Sequence, residues 1–257
     1  MSWFSRWRRE RILRHHLIPA GAFNQTVDAL PILEGLADDE LQRLREQASL
    51  LLHDKTFSAA GGAVVDARMQ LAIAVQASLL TLNLDEASYR GWSEIILYPD
   101  EFLRPREEMD EAGVVHHTRD ILAGESWHGG PLVLSLADVA ASGQRDGFNV
   151  VLHEFAHKLD MLNGDANGFP PLHRGMSAKA WAQDFGAAYE AFCARVDAGE
   201  DTDLDPYASN APAEFFAVLT EAFFETPALL HAEYPAVYGQ LQQFYRQHPL
   251  ARAGGRA

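Results

Sequence analysis

Val150-Val151-Leu152-His153-Glu154-Phe155-Ala156-His157-Lys158-Leu159-Asp160 is the stretch on which the reading of this chain turns. It places His-Glu-x-x-His inside an apolar, helix-permissive run. On an α-helix, residues four apart lie one above the other on the same face. His153 and His157 can therefore point at one ion, and Glu154, about 100° round the helix, can lean toward a water held there. Two imidazole ligands with a carboxylate beside them as general base form the zinc-peptidase arrangement. The bland alternative is a helix carrying two surface histidines. The flanking Val150, Val151, Leu152, Phe155, Ala156 and Leu159 argue against it, because they make the helix mostly buried. Buried imidazoles beside a buried carboxylate need partners, since desolvating them alone is costly.

Composition bounds the rest. The chain has 257 residues, 47% hydrophobic and 22% charged, which suits a globular protein with a sizeable core. A formal charge of −15 argues against direct nucleic-acid binding, which demands a basic surface. The single cysteine, Cys193, sits in an apolar helical run, so it reads as a core residue. One cysteine allows no intrachain disulfide and suits a reducing compartment. No stretch approaches the length of a membrane span, and a cytoplasmic location is expected.

The first thirty residues read as a basic, flexible segment ahead of a single catalytic domain over 31–250. Met1 to His16 is rich in arginine and aromatics but lacks the apolar core and cleavage site of a secretory signal. An amphipathic contact with an acidic membrane or partner is one reading of it. A frayed, solvated tail is the reading adopted. Pro19 to Pro31 reads as irregular chain, and 251–257 as a disordered tail. Helical spacing is expected from Asp38 to His53, capped by Asp38 or Asp39, and from Met69 to Leu82, which is apolar nearly all round. Glu94–Tyr98, Gly113–His116 and Pro131–Ser135 read as short strands. Further helices are expected from Ser177 to about Val196, from Glu214 to Phe224 with Pro212 in the first turn, and from Pro235 to Arg246. No internal repeat is visible. The fold class that follows is α+β, mostly helical, with a small mixed sheet and a zincin-like site. An edge strand of such a sheet commonly pairs with extended substrate.

Two histidines do not complete a catalytic zinc site, which ordinarily has three protein ligands and a water. The metzincin pattern needs a glycine and a further histidine where this chain has Asp160 and Asn163. The remaining common choice is a downstream glutamate. Ala213–Phe224 supplies two, Glu214 and Glu221, seven apart on one face of an otherwise apolar helix. One would bind metal and the other would hold a ligand's second nitrogen. Asp160, three residues after His157, is another candidate for that supporting role. Spacing alone does not choose between Glu214 and Glu221.

The segments Leu152–Gly164, Asp205–Asn210 and Pro212–Phe224 resemble the Mlc titration factor A family, bacterial zinc-dependent peptidases whose catalytic region is similar to that of anthrax lethal factor. The likeness extends through Ile96–Pro99, Gly113–His116, Ser126-Trp127 and Gly147–Asn149. The resemblance implies one zinc ion per chain, held by His153, His157 and Glu214, with Glu154 as general base. It also implies that Tyr207, seven residues before the glutamate ligand, donates a hydrogen bond to the developing oxyanion. His116 matches a histidine the family associates with metal. As a fourth ligand it would close the site, implying a latent form from which His116 must swing away. Two functions follow. The first is a metallopeptidase, of aminopeptidase type by resemblance, acting on peptide substrates. The second is a regulatory protein that sequesters an Mlc-type transcriptional repressor of glucose-uptake genes, with zinc structural or latent.

Overall fold

The computed structural model describes residues 3–84, 86–100, 102–109, 115–122, 124–126 and 129–253, with side chains over 3–84, 88–100 and 129–252. In chain order the elements are α1 (Trp3–His16), α2 (Ala20–Asp28), α3 (Asp38–Asp54), β1 (Thr56–Ala59), α4 (Ala67–Thr81), β2 (Glu94–Tyr98), β3 (Phe102–Met109), β4 (Val115–Leu122), β5 (Gly124–Ser126) and β6 (Leu132–Ser135). They continue with α5 (Leu136–Ala141), α6 (Val150–Asp160), α7 (Ala178–Asp197), α8 (Pro212–Glu225), α9 (Pro227–Glu233), α10 (Pro235–Tyr245) and α11 (Pro249–Ala253). This is the mostly helical α+β fold expected.

The sheet runs in the order β1-β2-β6-β5. β1, β2 and β6 are parallel, with Phe57 opposite Ile95 and Ile95 opposite Leu132, and α4 provides the crossover from β1 to β2. Parallel strands need such a crossover because a tight turn cannot reverse the chain twice. Ile95 and Leu97 of β2 and Leu132 and Leu134 of β6 are fully buried. The sheet is mixed because β5 pairs antiparallel with β6, Ser126 opposite Leu132, and so forms an edge. β3 and β4 form a separate antiparallel pair in which Glu108 stands opposite His116.

α6 is the pivot of the helical part. It packs on α4 and α8 and lies along β5 and β6. Its apolar residues Val151, Leu152, Phe155, Ala156 and Leu159 are at most 1% exposed. α8 is apolar for the same reason, with Phe215, Phe216, Leu219, Ala222 and Phe223 in the core. Pro212 sits in its first turn, where its missing N–H costs nothing. Ser177 caps α7 by accepting from Ala180 N at 3.2 Å, as its position before the helical run suggests.

Several expectations need correction. The basic N-terminal segment is helical, not frayed. α1 lies along α3, buries Ile12, and pairs Arg9 with Glu46 and Arg8 with Asp54. Pro19–Pro31 holds α2, whose Phe23 is 4% exposed, so burial overrides the loop-like composition. The cap of α3 is Ala37, whose N–H donates to Glu40, and Asp38 and Asp39 lie in the first turn. Pro227 ends α8 but also begins α9. Ala251 to Ala253 continue α11, and residues 254–257 lie outside the described residues. No helix of the described residues is long and apolar enough to cross a membrane.

Candidate metal centre

Asn149 starts the site. Its side chain caps α6 by accepting from Leu152 N at 2.9 Å, while its own N–H donates to Glu221 Oε2 at 2.5 Å. Its side-chain amide donates to Gln76 Oε1 at 2.8 Å and to Glu225 Oε1 at 2.7 Å. One fully buried residue thus fixes the N-terminus of α6 against both α8 and α4.

The histidines on α6 then meet the first turn of α8. His153 Nε2 lies 3.0 Å from Glu214 Oε2, His157 Nε2 lies 3.2 Å from it, and the two Nε2 atoms are 3.2 Å apart. His153 Nδ1 donates to Glu221 Oε1 at 2.8 Å, because a carboxylate can only accept. That contact places a proton on Nδ1, while Nε2 faces Glu214 and His157 and can bind a metal when it gives up its own proton. Glu221 therefore meets the second nitrogen of His153, while Glu214 meets the Nε2 atoms of both histidines. Glu214 stands in the first turn with its side chain 21% exposed, whereas Glu221, two turns on, is 6% exposed.

These atoms fit a metal. Acceptor atoms facing one another at hydrogen-bond distance repel unless a cation or proton lies between them. Zinc–nitrogen and zinc–oxygen bonds of about 2.0–2.1 Å set tetrahedral ligand–ligand edges near 3.3 Å. The three observed edges are close to that value. His153, His157 and Glu214 form the group among the described residues that could hold a metal ion. The same crowding governs protonation. Burial pushes the His153 imidazole down, but hydrogen bonds with Glu214 and Glu221, with the charges of Glu221 and Glu154, hold it well above its ordinary range. Burial pushes Glu214 up, but both histidines more than offset this and keep it well below the usual carboxylate range.

The other expected residues are placed as follows. Glu154 is buried beside the histidines. Tyr207 lies in a 3-10 turn over Pro206–Ser209, which Asp205 caps by accepting Tyr207 N at 2.9 Å. Its ring centroid is 6.1 Å from that of His153 and it is 40% exposed, so it borders the site while remaining accessible. Asp160 does not hold a histidine. Its Oδ2 accepts from Asn167 N at 2.7 Å and Gly168 N at 2.6 Å, tying down the loop after α6. Burial raises its carboxyl despite these bonds. Asp160 Oδ1 and His157 Nδ1, one turn apart on α6, are both buried without a hydrogen bond among the described residues. The side chain of His116 lies outside the described residues; its backbone is in β4.

Gly168 explains why that loop matters. Its φ is +76°, and a Cβ there would lie 2.4 Å from Pro212 O, so only glycine lets the loop pass against the start of α8. Trp181 Nε1 donates to Gly168 O at 3.1 Å from the other side. Asp160, Gly168 and Pro212 therefore set the position of Glu214, two residues further on. Sequence reasoning missed Asn149 as a hub, together with Gln76 and Glu225. A signal existed: Asn149 directly precedes the apolar run, Glu225 continues the Glu214–Glu221 face, and Gln76 is a polar residue inside an apolar helix.

Comparison with known proteins agrees with this geometry. The profile of the glucose-regulated metallo-peptidase M90 family matches residues 4–246. The Mlc titration factor A of Yersinia pestis (strain Pestoides F) is 39% identical over 226 residues, covering 87% of this chain and 83% of the relative. The protein of the same name from Yersinia pseudotuberculosis serotype O:1b shows the same identity and coverage.

Proposed function

Because this chain belongs to the glucose-regulated metallopeptidase M90 family, we propose that it is a zinc-dependent peptidase of aminopeptidase type acting at the face between α6 and α8. The observation that carries this is the convergence of His153 Nε2, His157 Nε2 and Glu214 Oε2, with Nδ1 of His153 fixed by Glu221. A zinc ion bound there would polarise the scissile carbonyl and lower the pKa of a bound water toward roughly 7. Glu154 takes the proton from the attacking water and passes it to the leaving amine. Tyr207 O–H, on the exposed rim, donates to the oxyanion as charge develops there. β5, an edge of the sheet among the described residues, lies beside α6 and is the strand on which an extended peptide could add. The acidic balance of the chain suits a substrate with a cationic amino terminus.

The name of the Yersinia relatives, Mlc titration factor A, favours a second activity, binding of an Mlc-type repressor. Glu154→Gln separates the two. Hydrolysis of short peptides is expected to fall by about 10²–10⁴-fold with metal content unchanged. Hydrolysis that survives the substitution removes Glu154 from the mechanism. Wild-type protein that binds repressor stoichiometrically but cleaves no peptide leaves the non-enzymatic reading.

A further inference from the structure

We propose that the outer face of α1 is a docking surface for bilayers containing anionic phospholipid. Among the described residues α1 packs chiefly on α3. Counting about 100° per residue from Trp3 puts Arg14 near 20°, Trp7 near 40°, Arg11 near 80° and Phe4 near 100°, with the buried Ile12 near 180°. The stripe opposite the packed side thus carries aromatics and arginines, with Glu10, near 340°, as the one carboxylate among them. Trp3 is 70% exposed, Phe4 73% and Trp7 51%. Trp3 and Phe4 pack edge to face at 4.8 Å, and Arg11 stands over the Trp7 ring at 5.6 Å.

Exposed apolar residues scattered singly over a surface are ordinary. Three large aromatics within five residues of one helix, interleaved with arginine, form a patch. Its charge points to the occupant. α1 carries five arginines against one glutamate in a chain whose formal charge is −15. Arg8 and Arg9 are engaged by Asp54 and Glu46, whereas Arg6, Arg11 and Arg14 make no ion pair among the described residues. Indole and phenyl rings settle at the headgroup level, and guanidinium groups pair with lipid phosphates. The helix is already folded on α3, so docking needs no ordering of the segment. A zwitterionic lipid offsets its phosphate with its own ammonium group and so lacks the net negative charge that this stripe matches. A single short helix gives reversible, salt-sensitive attachment, since stable anchoring takes a further signal.

The test is co-sedimentation of the full chain with vesicles of phosphatidylcholine alone and of phosphatidylcholine with phosphatidylglycerol, at low and high salt. Wild-type protein is expected to bind only the anionic vesicles and to be released by salt. The double variant Arg11→Gln/Arg14→Gln should bind about 25-fold more weakly, roughly fivefold for each cation lost. Trp3→Ser/Phe4→Ser/Trp7→Ser should lose binding while keeping wild-type circular dichroism and hydrolysis of soluble peptides, because these rings face solvent. Absence of wild-type binding to the anionic vesicles overturns the inference and leaves the face to an acidic protein partner. Equal binding to neutral vesicles, or undiminished binding by the triple variant, overturns it as well.

Discussion

On the flank of α6 that faces α8, His153 and His157 turn their Nε2 atoms toward the carboxylate of Glu214 within 3.2 Å. On the flank that faces residues 88–92, Lys158 meets a different environment. Its Nζ donates to Gly130 O at 2.9 Å and stands 4.8 Å from the centre of the Trp92 ring. Lys55 lies 3.6 Å from the centre of the same ring and donates to Trp92 O at 2.6 Å and to Tyr89 O. Phe155 and Tyr89 complete the cluster with edge-to-face contacts. Both flanks bury ionisable groups, but in different arrangements. Carbonyls and an aromatic face surround the lysines, and burial pushes each ammonium down to about 8. On the histidine flank two imidazole nitrogens and a carboxylate oxygen converge on one point at spacings that suit a metal. Ammonium groups enclosed by carbonyls and a ring serve the packing, whereas donor atoms of three side chains converging on one point can act as ligands.

That contrast can be broken from either side. The largest effect is expected from Trp92→Ala, which removes the face shared by two ammonium groups and opens space against Phe155. The cost should be about 3 kcal/mol in denaturant unfolding, because Trp92 is half-buried. Metal affinity should stay unchanged, and a loss of affinity would show that the two flanks are coupled. Glu221→Gln acts on the other flank. With His153 Nδ1 no longer facing a carboxylate, metal affinity is expected to drop about 10–100-fold, measured by competition with a chelator. The metal-free chain should also lose about 1–3 kcal/mol, because a glutamine can accept from only one of Asn149 N and His153 Nδ1. Unaltered metal affinity would mean that Glu221 supports only the helix pair through Asn149 N.

The two flanks also differ in how far they were legible. His153, Glu154 and His157 could be read because their relation is local: four residues and one helix face. Glu214 and Glu221 could be found as charges on an apolar helix, but both occupy the same face. Only the way α8 crosses α6 places Glu214 at the two Nε2 atoms and Glu221 at Nδ1 of His153. Tyr207 carried no signal of its own, since its place depends on a short turn capped by Asp205. Asn149, Gln76 and Glu225 form contacts between residues more than seventy apart, which no spacing rule reveals. The Lys55–Trp92–Lys158 stack is invisible for the same reason. α1 was misread because its composition is that of a solvated tail. Its attachment rests on Ile12 and on acidic partners in α3, Asp54 and Glu46, that lie far along the chain.

The smallest effect concerns Glu225, at the far end of the carboxylate row that begins with Glu214. It accepts from Asn149 Nδ2 and from Arg145 N at 2.5 Å, yet burial raises its carboxyl to about 7, with Asp146 and Glu221 adding to the rise. The hydrogen bonds from Asn149 and Arg145 only partly oppose this. A carboxyl raised on folding favours the folded state while protonated, so its contribution is fully present below the ordinary value near 4.5 and is lost as pH rises through 7. Between about pH 5 and 7 the loss should amount to roughly 1–2 kcal/mol. Glu225→Gln can accept from only one of its two donors, which adds a cost that does not vary with pH. Its diagnostic is therefore the slope. Subtracting the variant's stability from that of the wild type, both metal-free, should leave a difference that declines over this window. A flat difference would place Glu225 among groups that stay ionised, and would make the whole row from Glu214 to Glu225 a single anionic face.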